Sequence, residues 1–176
     1  GGTLTGSTIS NLQNNAVIQL GSTAGSAGSL AKIVFQGFNI ASGNTLTVRS
    51  GAPGQTVLLI DSDTAASAIA GTLQAQGGNG ASAPGLYFQN PNGIVVDPSG
   101  NISAPSGLAV IAVSDIWTTG QPLVNNGMVD GGSRLGLYGA KITGGGAFKG
   151  NHVDLHTFGH ANNPANGAHF LSNGLQ

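Results

Sequence analysis

His152, His156 and His160 recur at every fourth residue towards the C-terminus, with Asp154 inside the run and His169 beyond it. Imidazoles and a carboxylate gathered in this way raise the prospect of a metal site. On an extended strand the three histidines would share one face, but neighbours would stand roughly 13 Å apart, too far to hold one ion. Only a turn bringing two of them together would rescue the site. His152, His156 and His160 are therefore weak metal candidates, a structural or surface role is the simpler expectation, and no metal or other cofactor is assigned. A second pair, Asp61 and Asp63, follows the apolar run Val57-Leu58-Leu59-Ile60. Two carboxylates on one face could hold calcium, as in sugar-cleaving β-helix lyases, yet such sites need several oxygen ligands and a basic residue. Arg49 is the only basic neighbour in sequence, so capping of a corner is the expected role.

Other catalytic patterns fail on their neighbours. The chain has no glutamate, so a two-carboxylate glycosidase would need aspartate in both roles. Ser26 sits in Ala24-Gly25-Ser26-Ala27-Gly28, which has the outline of a nucleophile elbow but reads as Gly/Ala/Ser loop, with no ordered acid and histidine after it. Gly144-Gly145-Gly146 is followed by neither a Lys-Ser/Thr pair nor a helix, so it cradles no phosphate. Trp117, Tyr87, Tyr138 and the six phenylalanines would stack on sugars only if exposed in a row, and at 5% aromatic content they are expected mainly in the core. A non-enzymatic protein is the expectation.

The elements that would position these residues are short. Apolar runs of three to seven residues alternate with Gly/Asn/Ser turns: Ile33-Val34-Phe35, Leu46-Thr47-Val48, Leu86-Tyr87-Phe88, Ile94-Val95-Val96, Leu108 to Val113, Leu135-Gly136-Leu137-Tyr138. None carries the 3.6-residue period of a helix. With 31 glycines in 176 residues and almost no Glu, Lys, Arg or Met, an exposed helix has little to stabilise it. Strands this short suit coils stacked in parallel, each coil covering the inward side chains of the one before. The expected fold is all-β, a right-handed parallel β-helix, with an antiparallel sandwich or barrel as the alternative. One domain over residues 1–176 is expected, with 1–32 a less regular N-terminal segment.

Composition excludes several partners. Charged residues make up 6% of the chain, against roughly a quarter in ordinary globular domains. The net charge is −1 and the basic residues Lys32, Arg49, Arg134, Lys141 and Lys149 are scattered, so nothing forms the phosphate-neutralising stripe that nucleic acid requires. Cysteine is missing, which removes thiolate and disulfide chemistry. No apolar run is long enough for a transmembrane helix. Gly1-Gly2-Thr3-Leu4-Thr5 has no signal-peptide character, so a mature or trimmed N-terminus is expected.

The most specific motif is Asn90-Pro91-Asn92-Gly93-Ile94, set between Leu86-Tyr87-Phe88 and the apolar run that starts at Ile94. Pro91 presets φ for a turn, Asn92-Gly93 suits positive φ, and the β-branched residues that follow favour a strand. The ordered blocks Phe38-Asn39-Ile40, Val57 to Ile60, Ile69 to Leu73, Leu86 to Ile94 and Gly107 to Ala112 resemble the filamentous-haemagglutinin-type domain of two-partner secretion exoproteins, over roughly residues 33–175. The second Asn-Pro turn of that family usually ends in leucine, whereas the nearest candidate here is Asn163-Pro164-Ala165-Asn166-Gly167. The resemblance implies a right-handed β-helix exported across a Gram-negative outer membrane by a dedicated transporter, acting at the cell surface as an adhesin or fibre. It also implies that Asn90, Pro91, Asn92, Gly93 and Ile94 form a turn or transporter-recognition motif. With no charged side chain in the first thirty or last fifteen residues, the solenoid ends are expected to stack on further copies of the chain. The alternative expectations are a secretion-recognition domain of a larger adhesin and, behind it, a polysaccharide lyase.

Overall fold

The computed structural model describes residues 3–12, 14–22, 24, 30–78, 80–113 and 121–157. Every regular element in these residues is a strand, and every strand pairing is parallel. The chain winds as a β-solenoid of about four three-strand turns. The first of them comprises β5 (Thr56–Asp61), β6 (Ser67–Ile69) and β7 (Thr72–Gln76), and the second β8 (Gly85–Gln89), β9 (Ile94–Val96) and β10 (Asn101–Ser103). The third comprises β11 (Leu108–Ile111), β12 (Pro122–Asn125) and β13 (Met128–Asp130), and the fourth β14 (Leu135–Gly139), β15 (Lys141–Thr143) and β16 (Ala147–Lys149). β17 (Val153–Thr157) opens the next coil on β14.

Before these coils come β1 (Thr3–Leu12), β2 (Ala16–Gln19), β3 (Ala31–Ile40) and β4 (Thr45–Arg49). β3 belongs to two sides of the column at once. Its first half pairs with β5, and Ile40 at its end pairs with Ile69 of β6. Between the two halves Gly37 takes φ 122°, a conformation that a side chain would strain. β1 follows β3 with three register shifts along its length.

Three columns of side chains build the interior. On the first side Ile33, Leu59, Phe88, Val110 and Leu137 stack in register, all buried. On the third, Leu46, Leu73, Ile102 and Val129 do the same. Phe38 bridges inner columns, its ring 5.0 Å from that of Phe35 and 4.8 Å from that of Phe88. The alternation of inward and outward residues comes from the two-residue strand period, and parallel stacking repeats it rung after rung.

The column keeps its cross-section although the coils differ in length. Thr72 stacks on Asn101, 29 residues on, whereas Met128 stacks on Ala147, only 19 residues on. Loops at the corners absorb the difference. One corner is tight throughout: Gly71, Gly100, Gly127 and Gly146 each immediately precede a strand of the third side, and a Cβ on any of them would run into backbone carbonyls of the preceding coil or of its own corner. The Gly71, Gly100 and Gly127 carbonyls in turn accept hydrogen bonds from the Asn101, Met128 and Ala147 amides one coil on.

Candidate functional site

Asn90 through Ile94 form the corner between β8 and β9. The Gly93 amide donates to the Asn90 carbonyl at 3.1 Å, which closes a β-turn with Pro91 at its second position, where a fixed φ fits. Gly93 takes φ 111° and its carbonyl accepts from the Ser67 amide of the coil below. Asn90 Oδ1 accepts from the Asn92 amide at 2.8 Å, and Asn92 Nδ2 donates to the Asp63 carbonyl at 2.7 Å. Ile94 is buried and opens β9, while Asn92 is exposed. The turn thus presents Asn92 outward and sends Asn90 inward.

The side chain of Asn90 meets a buried polar cluster in the solenoid interior. Its Nδ2 lies 3.1 Å from Asp61 Oδ2, 2.9 Å from Ser67 Oγ and 2.9 Å from the Ala65 carbonyl. Asp61, which ends β5, accepts five hydrogen bonds. Gly37 and Asp63 amides reach Oδ1 at 3.0 and 3.1 Å, and the Phe38 amide, Ser67 Oγ and Asn90 Nδ2 reach Oδ2 at 3.0, 2.7 and 3.1 Å. Asp61, Ser67 and Asn90 are all buried. These bonds satisfy amides that the bend at Gly37 turns away from the ladder, which a buried corner requires. Asp61 therefore caps the corner, and both its oxygens are occupied by donors of this chain. Asp63 accepts from the Thr64 amide at 2.7 Å.

The histidines fall on either side of an ion pair. Arg134, just before β14, donates through Nε and Nη2 to Asp154 Oδ2 at 2.9 and 2.8 Å. His152 Nε2 lies 3.0 Å from Asp154 Oδ1. Hydrogen bonding from Arg134, reinforced by His152, holds the Asp154 carboxyl below the usual carboxylate range, and the same bonds raise the Arg134 guanidinium. His156 stacks on Tyr138 of β14, with ring centroids 4.7 Å apart and planes 4° from parallel. His160, His169, Trp117 and the Asn163–Gly167 turn lie outside the described residues. Among the described residues no three His, Cys, Asp or Glu side chains gather as metal ligands would.

Of the aromatic residues, Phe35, Phe38 and Phe88 are core, whereas Tyr87 is 43% exposed. Inspection of motifs in sequence finds the turn at Asn90 but misses its partner, because Asp61 and Asn90 stand 29 residues apart and meet only when one coil lands on the next. The available signal is an acid directly ending an apolar run, one coil length before an asparagine that ends another.

Compared with known proteins, the chain matches no family model, no curated protein and no solved structure.

Proposed function

We propose that this protein is an exported, non-enzymatic solenoid that serves as the structural subunit of a self-assembling extracellular fibre or adhesin shaft. The observation that carries this reading is the state of the last described coil. Ile142, Phe148, Val153 and Leu155 continue the inward columns but are only partly buried, whereas their counterparts one coil earlier are fully enclosed. A parallel coil completes its core only when another is laid on it, and a second copy stacked end to end would supply one. Cell-surface placement and outer-membrane export rest on the likeness to two-partner secretion exoproteins.

Purified protein concentrated step by step, followed by sedimentation velocity and negative-stain microscopy, is expected to yield rods that lengthen with concentration. Monomers alone at every concentration would overturn the fibre reading. A second reading, a secretion-recognition domain of a larger adhesin, is favoured by the outward Asn92 on a corner whose inner side is locked in place. A reading frame extending far beyond Gln176, beside a gene for an outer-membrane transporter, would support it over a self-sufficient subunit.

A further inference from the structure

We propose that the two ends of the column fit each other, so that β16 of one copy lies against β2 of a second copy, head to tail, in the register that the rungs keep within each copy. Among the described residues β2 and β16 are the outermost strands of the six-stranded sheet, at opposite ends of it. Each pairs on one edge only, β2 with β4 and β16 with β13, and its other edge carries backbone donors and acceptors that a further strand would satisfy. All six strands run in one direction. A head-to-tail contact therefore extends the same parallel ladder, whereas two like ends with their cores aligned would have to pair antiparallel. A contact between unlike ends that does not close on itself builds an open filament.

The side chains favour the same polarity. Register places Ala16, Leu46, Leu73, Ile102, Val129 and Phe148 in one inward column. Its four middle members are fully buried, while Ala16 and Phe148 at its two ends are only partly so. The smallest and the largest side chains of the column thus stand where one copy would meet another. Phe148 laid over Ala16 averages to the volume of the aliphatic rungs between them, whereas Phe148 against Phe148 overfills the core and Ala16 against Ala16 leaves a void. The neighbouring outward column runs from Val17, 56% exposed, to Lys149. Lys149 Nζ lies 3.6 Å from Asp130 Oδ2 on the preceding coil, so its charge is drawn back from the edge, and β2 carries no charged side chain to oppose it. Two like ends would instead set Lys149 against Lys149, and like charges facing each other across strands are destabilising.

This inference rests on the fibre reading, because it names the surfaces through which the copies meet. The chain has no cysteine, so introduced thiols report a single contact. Facing residues on adjacent rungs stand about 4.8 Å apart, within the Cα separation of roughly 4.4–6.8 Å that a disulfide spans. A variant carrying both Val17→Cys and Lys149→Cys, oxidised at high concentration, is expected to give a ladder of covalent multimers on a non-reducing gel. Each single substitution is expected to stay monomeric there, and Val17→Cys combined with Lys141→Cys, on β15 of another side, is expected to give no ladder. Both paired positions are exposed, and an unchanged melting temperature of the reduced variants verifies the fold. Negative stain of the same samples separates the two possible failures. Rods without a ladder keep the fibre reading and overturn this contact. Dimers from either single variant show like ends meeting, and a ladder of equal yield from the Lys141→Cys pair shows no fixed register; each overturns it as well. Monomers alone, as when residues 158–176 of the same chain cover the edge, overturn both readings.

Discussion

Asp61 is buried without a basic partner among the described residues, and its tolerance in the core depends on five donors arriving from three parts of the chain. Removing the carboxylate takes this acceptor from the Gly37, Phe38 and Asp63 amides and the Ser67 hydroxyl in a dry interior, while Asn90 Nδ2 keeps the Ala65 carbonyl, and each orphaned group costs on the order of 1–3 kcal/mol. Asp61→Ala is therefore expected to lower unfolding free energy by about 3–5 kcal/mol, read from the urea midpoint at unchanged slope. A loss below about 1 kcal/mol would show that the corner holds without it. Asp61→Asn keeps the shape but turns one acceptor into a donor facing other donors, so it is expected to fall between wild type and alanine.

At the scale of elements, the solenoid is held by parallel ladders and by corners that allow close approach. Gly127 precedes β13 with the Gly100 and Asp97 carbonyls where its Cβ would go, while Gly145, one residue before the equivalent position of the next coil, has open space. Gly127→Ala is expected to cost about 2 kcal/mol or more and Gly145→Ala less than about 1 kcal/mol, compared by thermal melting. The link between β14 and β17 carries a pH signature instead. The Asp154 carboxyl is depressed in the folded protein, so its contribution is present above the ordinary carboxylate range and is lost as pH falls through the depressed value. Arg134→Met is expected to flatten the acid limb of the stability profile below roughly pH 4, leaving neutral pH little changed because the pair is exposed. Sequence made the strands legible, since apolar alternation and Gly/Asn corners mark each one. It did not reveal which strand lies on which, because the coil spacing shrinks from 29 to 19 residues and no fixed period survives. From β7 onward, the glycine before each third-side strand tracks the coils better than any apolar pattern does.

For the molecule as a whole, a column of mutually covering coils has a fixed girth and an open-ended length. Stability in such a column is close to a sum over neighbours, so the last described coil, with half-covered Leu155 and Phe148, is a place where a further coil laid on it gains much. Charge placed there is expected to act on assembly before it acts on folding: Leu155→Lys should shorten or abolish rods in negative stain while the melting temperature of the monomer falls only modestly. If rods persist unchanged, the contact between copies lies elsewhere. The reach of sequence reasoning differs between the candidate sites. The turn at Asn90–Ile94 could be read directly, because proline, asparagine and glycine each have a local reason to be there. The Asp61 cluster could not, since Gly37, Ser67 and Asn90 reach that carboxylate only through a stacking of coils that no local pattern encodes.

The Asp61 carboxylate has a mechanical consequence. Hydrogen bonds between coils run along the long axis, so a tensile load on the two ends would peel the ladder open one rung at a time rather than shear it. Asp61 grips Gly37 and Phe38 on the rung before and Asn90 on the rung after, and so acts as a rivet through three layers. Under such a load the column would unravel from its extremities, and this fastening would resist it between β3 and β8.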